Sequence, residues 1–138
     1  MTNGIFISIR PKYCNLIKKR IKINEFRSYK PKQDIQTFWI YESAPTSALK
    51  YIAEVADPVE YPEKLEIKGD GDDRFNSGKT KYKFAFKIVH LYELETPLTL
   101  HNLKSEFNFS PPQSFAYINT YPKLIEFVRN EIKLNRIF

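Results

Sequence analysis

Lys22, Glu25 and Arg27 place two cations and a carboxylate within six residues of one another. In an extended chain alternate residues share a face, so Glu25 and Arg27 can pair, and a paired arginine holds its planar fork ready for a phosphate or a base edge. Lys22 has the opposite parity. Either it belongs to a turn ahead of the strand or it lies outside the site. The trio sits in a charged setting: the segment from Arg10 to Lys32 carries nine of the twenty-two basic residues and one of the sixteen carboxylates, which leaves it at +8 in a chain whose total is +6. A local concentration of this kind attracts polyanions and depends on salt. The alternative is an ordinary surface salt bridge on a solvated lysine face, worth about 0–1 kcal/mol.

The elements that must position these residues follow from the apolar pattern. Ile5 to Ile9 is a short β-branched run ended by Arg10 and Pro11, which reads as a buried strand feeding a helix that tolerates proline in its first turn. Tyr13, Leu16 and Ile17 recur at helical spacing. A strand follows through Ile23 to Arg27, and others are expected at Thr37 to Glu42 and Ala48 to Val55, ended by Pro58 and Pro62. The stretch from Lys64 to Lys81 is polar and contains Gly69, Gly71 and Gly78, so it reads as a long exposed connection. Tyr82 to Val89 alternates as a strand that should cross the core. A short helix is expected within Pro97 to Phe107, an extended run from Ser110 to Ile118, and a last helix opened by Pro122 with a Leu124, Ile125, Val128, Ile132 stripe packed on a sheet. Mixed short strands with two or three short helices describe a small α+β barrel, and 138 residues make a single domain spanning 1–138.

Other chemistries find little footing. Gly78, Lys79 and Thr80 spell the end of a phosphate-binding loop, but Asp73 stands where its first glycine belongs and a strand follows instead of a helix. Asp70, Asp72 and Asp73 open like a calcium loop, yet Phe75 and Lys81 occupy the positions that require glycine and glutamate, so a solvated acidic loop is expected. His90 and His101 have no metal-ligand spacing, and the lone Cys14 reads as a small buried apolar residue. No metal and no cofactor is expected. One cysteine fits a reducing compartment, no apolar run approaches the roughly twenty residues of a membrane span, and no signal-type core opens the chain. The expectation is an intracellular protein, cytoplasmic or nuclear, with no membrane partner. Trp39 is expected in the core.

Three segments together resemble the ASCH domain, a family of the PUA-like superfamily of small β-barrels: Ser8-Ile9-Arg10-Pro11, the run from Arg20 to Arg27, and Trp39-Ile40-Tyr41-Glu42-Ser43-Ala44-Pro45. The family signature is glycine, any, lysine, any, any, glutamate, any, arginine. Lys22, Glu25 and Arg27 match it, while Arg20 replaces the glycine. Ser110 to Tyr117 resembles a late strand of many members. The resemblance implies a PUA-like mixed barrel with a cleft lined by the signature residues, proposed in the family to bind RNA or a modified nucleobase. In such a cleft Arg10, Lys12, Lys22, Arg27 and Lys30 would hold phosphates, Tyr41 or Tyr117 would stack on an unpaired base, and Ser43 and Ser114 would offer hydroxyls to a base edge.

The function expected on this basis is a nucleic-acid-binding module, with RNA ahead of DNA as partner. The alternative is a small metal-independent enzyme, since ASCH-like proteins include ribonucleases and amidohydrolases of acetylated cytidine. In the amidohydrolases the signature lysine activates a threonine at the position where this chain has Glu25, so a ribonuclease with Lys22 as candidate catalytic residue stands ahead of an amidohydrolase.

Overall fold

The computed structural model describes residues 3–138. Its frame is a curled mixed sheet. In chain order the elements are β1 (Gly4–Ile9), α1 (Pro11–Lys18), β2 (Asn24–Arg27), β3 (Thr37–Glu42), β4 (Ala48–Val55), β5 (Val59–Glu60), α2 (Asp72–Ser77), β6 (Phe84–Thr99), α3 (Leu100–Phe107), β7 (Ala116–Tyr117), a 3₁₀ turn (Ile118–Thr120), α4 (Pro122–Glu131) and β8 (Leu134–Arg136). The strands follow one another in space as β2-β6-β4-β3-β1-β7, with β5 and β8 also paired to β6. β1 and β3 run parallel and the other pairs are antiparallel. The curled sheet and its helices have the α+β architecture expected from the sequence, with the barrel only half closed.

Two apolar clusters lie on the two faces of the sheet. Ile5, Ile7 and Ile9 of β1, with Phe38 and Ile40 of β3, pack among Cys14 and Ile17 of α1 and Phe86, Ile88 and Leu91 of β6. The alternate residues, Phe6, Trp39 and Tyr41, face a second cluster built from Leu103 of α3 and Leu124, Ile125 and Val128 of α4. Burial on both sides explains why β1 and β3 read as unbroken apolar runs. Cys14 is buried, and its thiol donates to the Ile9 carbonyl oxygen at 3.8 Å. Burial pushes that thiol's pKa up, which makes it inert.

β6 is twice as long as the alternation at its start indicates. Its first residues pair with β2 and β5, and its later ones with β4 and β8. Leu49 pairs with Leu98 but Tyr51 with Glu93, so β6 bulges outward between them. The bulge accommodates Pro97, which cannot donate to a regular ladder. The expected helix therefore begins only at Leu100, where Thr99 Oγ1 accepts from the Asn102 N–H at 3.3 Å.

The segment from Lys64 to Lys81 is not a plain exposed connection. Much of it faces solvent, but its centre folds into α2, and Asp72 and Phe75 are buried. The Asp72 carboxylate, expected to be solvated, accepts from the Lys68 N–H at 3.1 Å, the Gly69 N–H at 2.9 Å and the Asn24 side-chain amide at 3.0 Å. Phe75 stacks on Phe26, ring centroids 5.6 Å apart. Two of the glycines that suggested an exposed connection, Gly69 and Gly71, are docking points. A Cβ at Gly69 would lie 2.9 Å from the Ile21 carbonyl oxygen, and Gly71 combines φ of 89° with a Cβ position 2.7 Å from the Phe26 ring.

Phe86 is 1% exposed and meets Phe38 edge-on in the first cluster. Phe86→Ala should cost about 3–5 kcal/mol of unfolding free energy, measured by urea denaturation against the parent chain.

A candidate nucleic-acid cleft at the open seam of the barrel

The sheet path runs from β2 at one end to the short β7, beside β1, at the other, and among the described residues backbone pairing does not join those ends. Side chains close the gap instead. Arg27 Nη2 donates to the Ser8 carbonyl oxygen on β1 at 3.1 Å. Beyond β2, the Tyr29 hydroxyl donates to the Ser114 carbonyl oxygen at 2.9 Å, its ring stacks on Phe115, and the Gln33 N–H donates to the Tyr117 hydroxyl at 3.3 Å. Beside the Arg27 bridge the seam opens into a cleft of about 350 Å³.

Lys22, Glu25 and Arg27 all line this cleft. Lys22 belongs to the turn before β2, where its N–H donates to the Leu16 carbonyl oxygen, and this settles how it joins residues of the other parity. The turn is made by Arg20 at φ 62°, the left-handed region, in the position where the ASCH signature has glycine. Its guanidinium lies 4.4 Å from the Phe138 ring centroid, a cation–π contact that offsets part of the backbone strain.

Glu25 is the hub. Arg27 donates to its Oε2 through Nε at 2.9 Å and approaches the same oxygen through Nη2 at 2.7 Å, while Lys22 Nζ lies 3.8 Å from Oε1. At that last distance the pair is coulombic and not a hydrogen bond. The Lys22 ammonium also sits 4.4 Å from the Phe26 ring centroid and 5.5 Å from that of Tyr13. It is 7% exposed, and this desolvation pulls its pKa below the ordinary 10.5, against the opposing pull of Glu25, Asp70 and Asp72.

Two walls rise from this floor. One is the β1–α1 junction with Ser8, Ile9, Arg10 and Tyr13; the other is the docked segment with Asp70, Gly71, Arg74, Phe75, Thr80 and Tyr82. Of the residues singled out in the sequence, Arg10, Lys22, Glu25 and Arg27 therefore meet at one concavity. Lys12, Lys30, Ser43, Ser114 and Tyr117 are not among the residues lining it, although Ser114 and Tyr117 take part in closing the same seam. Tyr41 as a stacking ring is overturned. It is 4% exposed and packed in the second cluster, tilted against Phe109. The rings that do line the cleft, Tyr13, Phe26, Phe75 and Tyr82, were not read from the sequence as site residues, and neither was Arg74. Tyr13 and Phe26 had one available signal, their closeness in sequence to the charged trio.

No protein-family model matches this chain, and no curated protein matches it. Solved structures do. The ASCH protein of Zymomonas mobilis aligns over 94% of this chain and 96% of its own, with 21% identity and a TM-score of 0.69. This is the ASCH-domain fold. A tyrosine-to-phenylalanine variant of the Zymomonas mobilis ASCH protein aligns with a TM-score of 0.70 at 20% identity over 94% of this chain and 99% of that one. A serine-to-alanine variant gives 0.65 at 22% identity over 90% and 95%. In this ASCH-type frame no helix among the described residues is long and apolar enough to cross a membrane.

Glu25→Ala leaves two cations facing each other in a site with little water. It should cost roughly 2–3 kcal/mol, below the roughly 3–5 of a sealed pair because the cleft admits solvent, as read by chemical denaturation. A second expectation concerns pH. With the folded-state pKa of Lys22 lowered, the unfolded chain binds the extra proton between that value and 10.5, so Lys22 makes stability rise with pH through that window and fall as pH drops through the folded value. Lys22→Met should flatten that slope when unfolding free energy is followed from neutral to alkaline pH.

Proposed function

We propose that this chain is a nucleic-acid-binding module whose cleft takes one unpaired RNA nucleotide or a modified nucleobase. The observation that carries the reading is the buried Lys22 ammonium, held beside Glu25 with no hydrogen-bond partner among the described residues, at a concavity lined by Tyr13, Phe26 and Tyr82. An ammonium so placed has donors to give to a base edge or sugar, and the rings offer flat apolar surface to a base. A volume of about 350 Å³ suits one nucleotide and is too small for a paired helix. Arg27 contributes differently. Its fork is spent on Glu25 and Ser8, so it fixes the floor and supplies charge.

A second reading, a metal-independent hydrolase acting on RNA or a modified nucleoside, is favoured by one feature. Desolvation makes the Lys22 amine easier to deprotonate, and Glu25 stands next to it, a pairing suited to general acid–base chemistry. Incubation with RNA and with N4-acetylcytidine in chelator separates the readings: turnover that disappears in Lys22→Met establishes the enzyme.

For the binding reading, Lys22→Met should weaken affinity for single-stranded RNA by tenfold or more, since charge-assisted hydrogen bonds contribute about 1.5–3 kcal/mol, and Tyr82→Ala should lose about 1–3 kcal/mol of stacking. Fluorescence anisotropy at low salt measures both. Wild-type affinity that is undetectable, or indifferent to both changes, removes the proposal.

A further inference from the structure

Arg10 and Arg74 differ from the other cations of the cleft. Lys22 and Arg27 are drawn down onto Glu25, whereas Arg10 and Arg74 are exposed, and neither side chain makes an ion pair or a hydrogen bond among the described residues. Nothing in the fold consumes their forks. Both nevertheless line the same concavity.

They reach it from separate walls, each fixed by its own device. Arg10 follows β1 directly and caps the N-terminus of α1 ahead of Pro11, so its backbone is set by a strand on one side and a proline-opened helix on the other. Arg74 rides on α2, which is anchored by Asp72 to Asn24 of β2 and by Phe75 to Phe26. The walls are therefore rigid while the guanidinium groups at their rims are unengaged. Arginine in this condition matches phosphate, which its fork can grip with two parallel hydrogen bonds.

Resting on the cleft reading above, we propose that Arg10 and Arg74 each take one backbone phosphate, on the two sides of the nucleotide whose base enters the cleft. The ligand class is thus an internal nucleotide of a single strand. A free base or nucleoside has neither phosphate and would leave both rims empty. Asp72 is then a positioning residue, because it holds the wall that carries Arg74.

The test uses short homopolymeric oligoribonucleotides of A, C, G and U, with the four nucleosides as comparison, titrated over a salt series. Each of Arg10→Gln and Arg74→Gln should reduce the slope of log K against log salt by about 0.7, and the double variant by about 1.4, the single-strand value for one and two lost phosphate contacts. Lys104→Gln, exposed on α3 away from the cleft, should leave the slope unchanged. Oligonucleotides should bind far more tightly than nucleosides at low salt. If oligonucleotides bind but both arginine variants keep the parental slope, or nucleosides bind equally well, the phosphate assignment falls and the cleft reading stands. If no oligonucleotide binds the parent chain, both fall together.

Discussion

The structure turns on one carboxylate. Glu25 stands between Lys22 and Arg27 at the place where the curled sheet fails to close, and without it two cations would share a site that is nearly dry. Burying an ionised group is tolerable only when it is paired and hydrogen-bonded. Glu25 meets that requirement in full for Arg27 and gives Lys22 the coulombic pairing alone, and through Arg27 it does something more. The guanidinium, immobilised by Oε2, extends to the Ser8 carbonyl oxygen and so links the two ends of the strand path. The same interaction halves the positive charge on the floor of the cleft and helps to close the frame around it.

That double duty divides labour between the two cations. Arg27 has geometry to spend, because its planar fork can satisfy a carboxylate and a backbone carbonyl at once. Lys22 is a compact charge whose ammonium makes no hydrogen bond among the described residues, cushioned by Phe26 and Tyr13. The arginine therefore ties the frame together while the lysine keeps its donors unspent, and the carboxylate stands between them.

Much of this was legible in the sequence, and the limits were physical. β1, β3, β4 and α4 announced themselves through runs and stripes whose periodicity is local, and the trio's spacing was visible because parity in a strand decides who faces whom. Tyr41 was misplaced even though the information was present. An apolar run without polar alternation is buried on both faces, so the residue sharing Trp39's parity belongs with it inside the second cluster. The Lys64–Lys81 segment failed for another reason. Its order comes from Asp72 and two close-packed glycines engaging β2 and the turn before it, about fifty residues earlier in sequence, and no local pattern records a contact at that separation. Polar composition described its outer surface correctly and its inner surface not at all.

Arg20 shows how a motif can survive the loss of one of its letters. The signature position asks for glycine because the turn needs positive φ, and here an arginine adopts 62°. The conformation costs an L-residue about 1–2 kcal/mol, of which the stacking on Phe138 returns roughly half a kcal/mol or more. What enforces the remainder is packing: Ile21 and Lys22 both donate N–H bonds to the Leu16 carbonyl oxygen, and Asp70 donates its N–H to Ile21 at 2.8 Å, so the turn is gripped from two sides. The motif therefore encodes a backbone path that delivers the lysine to the carboxylate. Glycine is the least strained way to follow that path, and a chain with enough surrounding contacts can follow it without one.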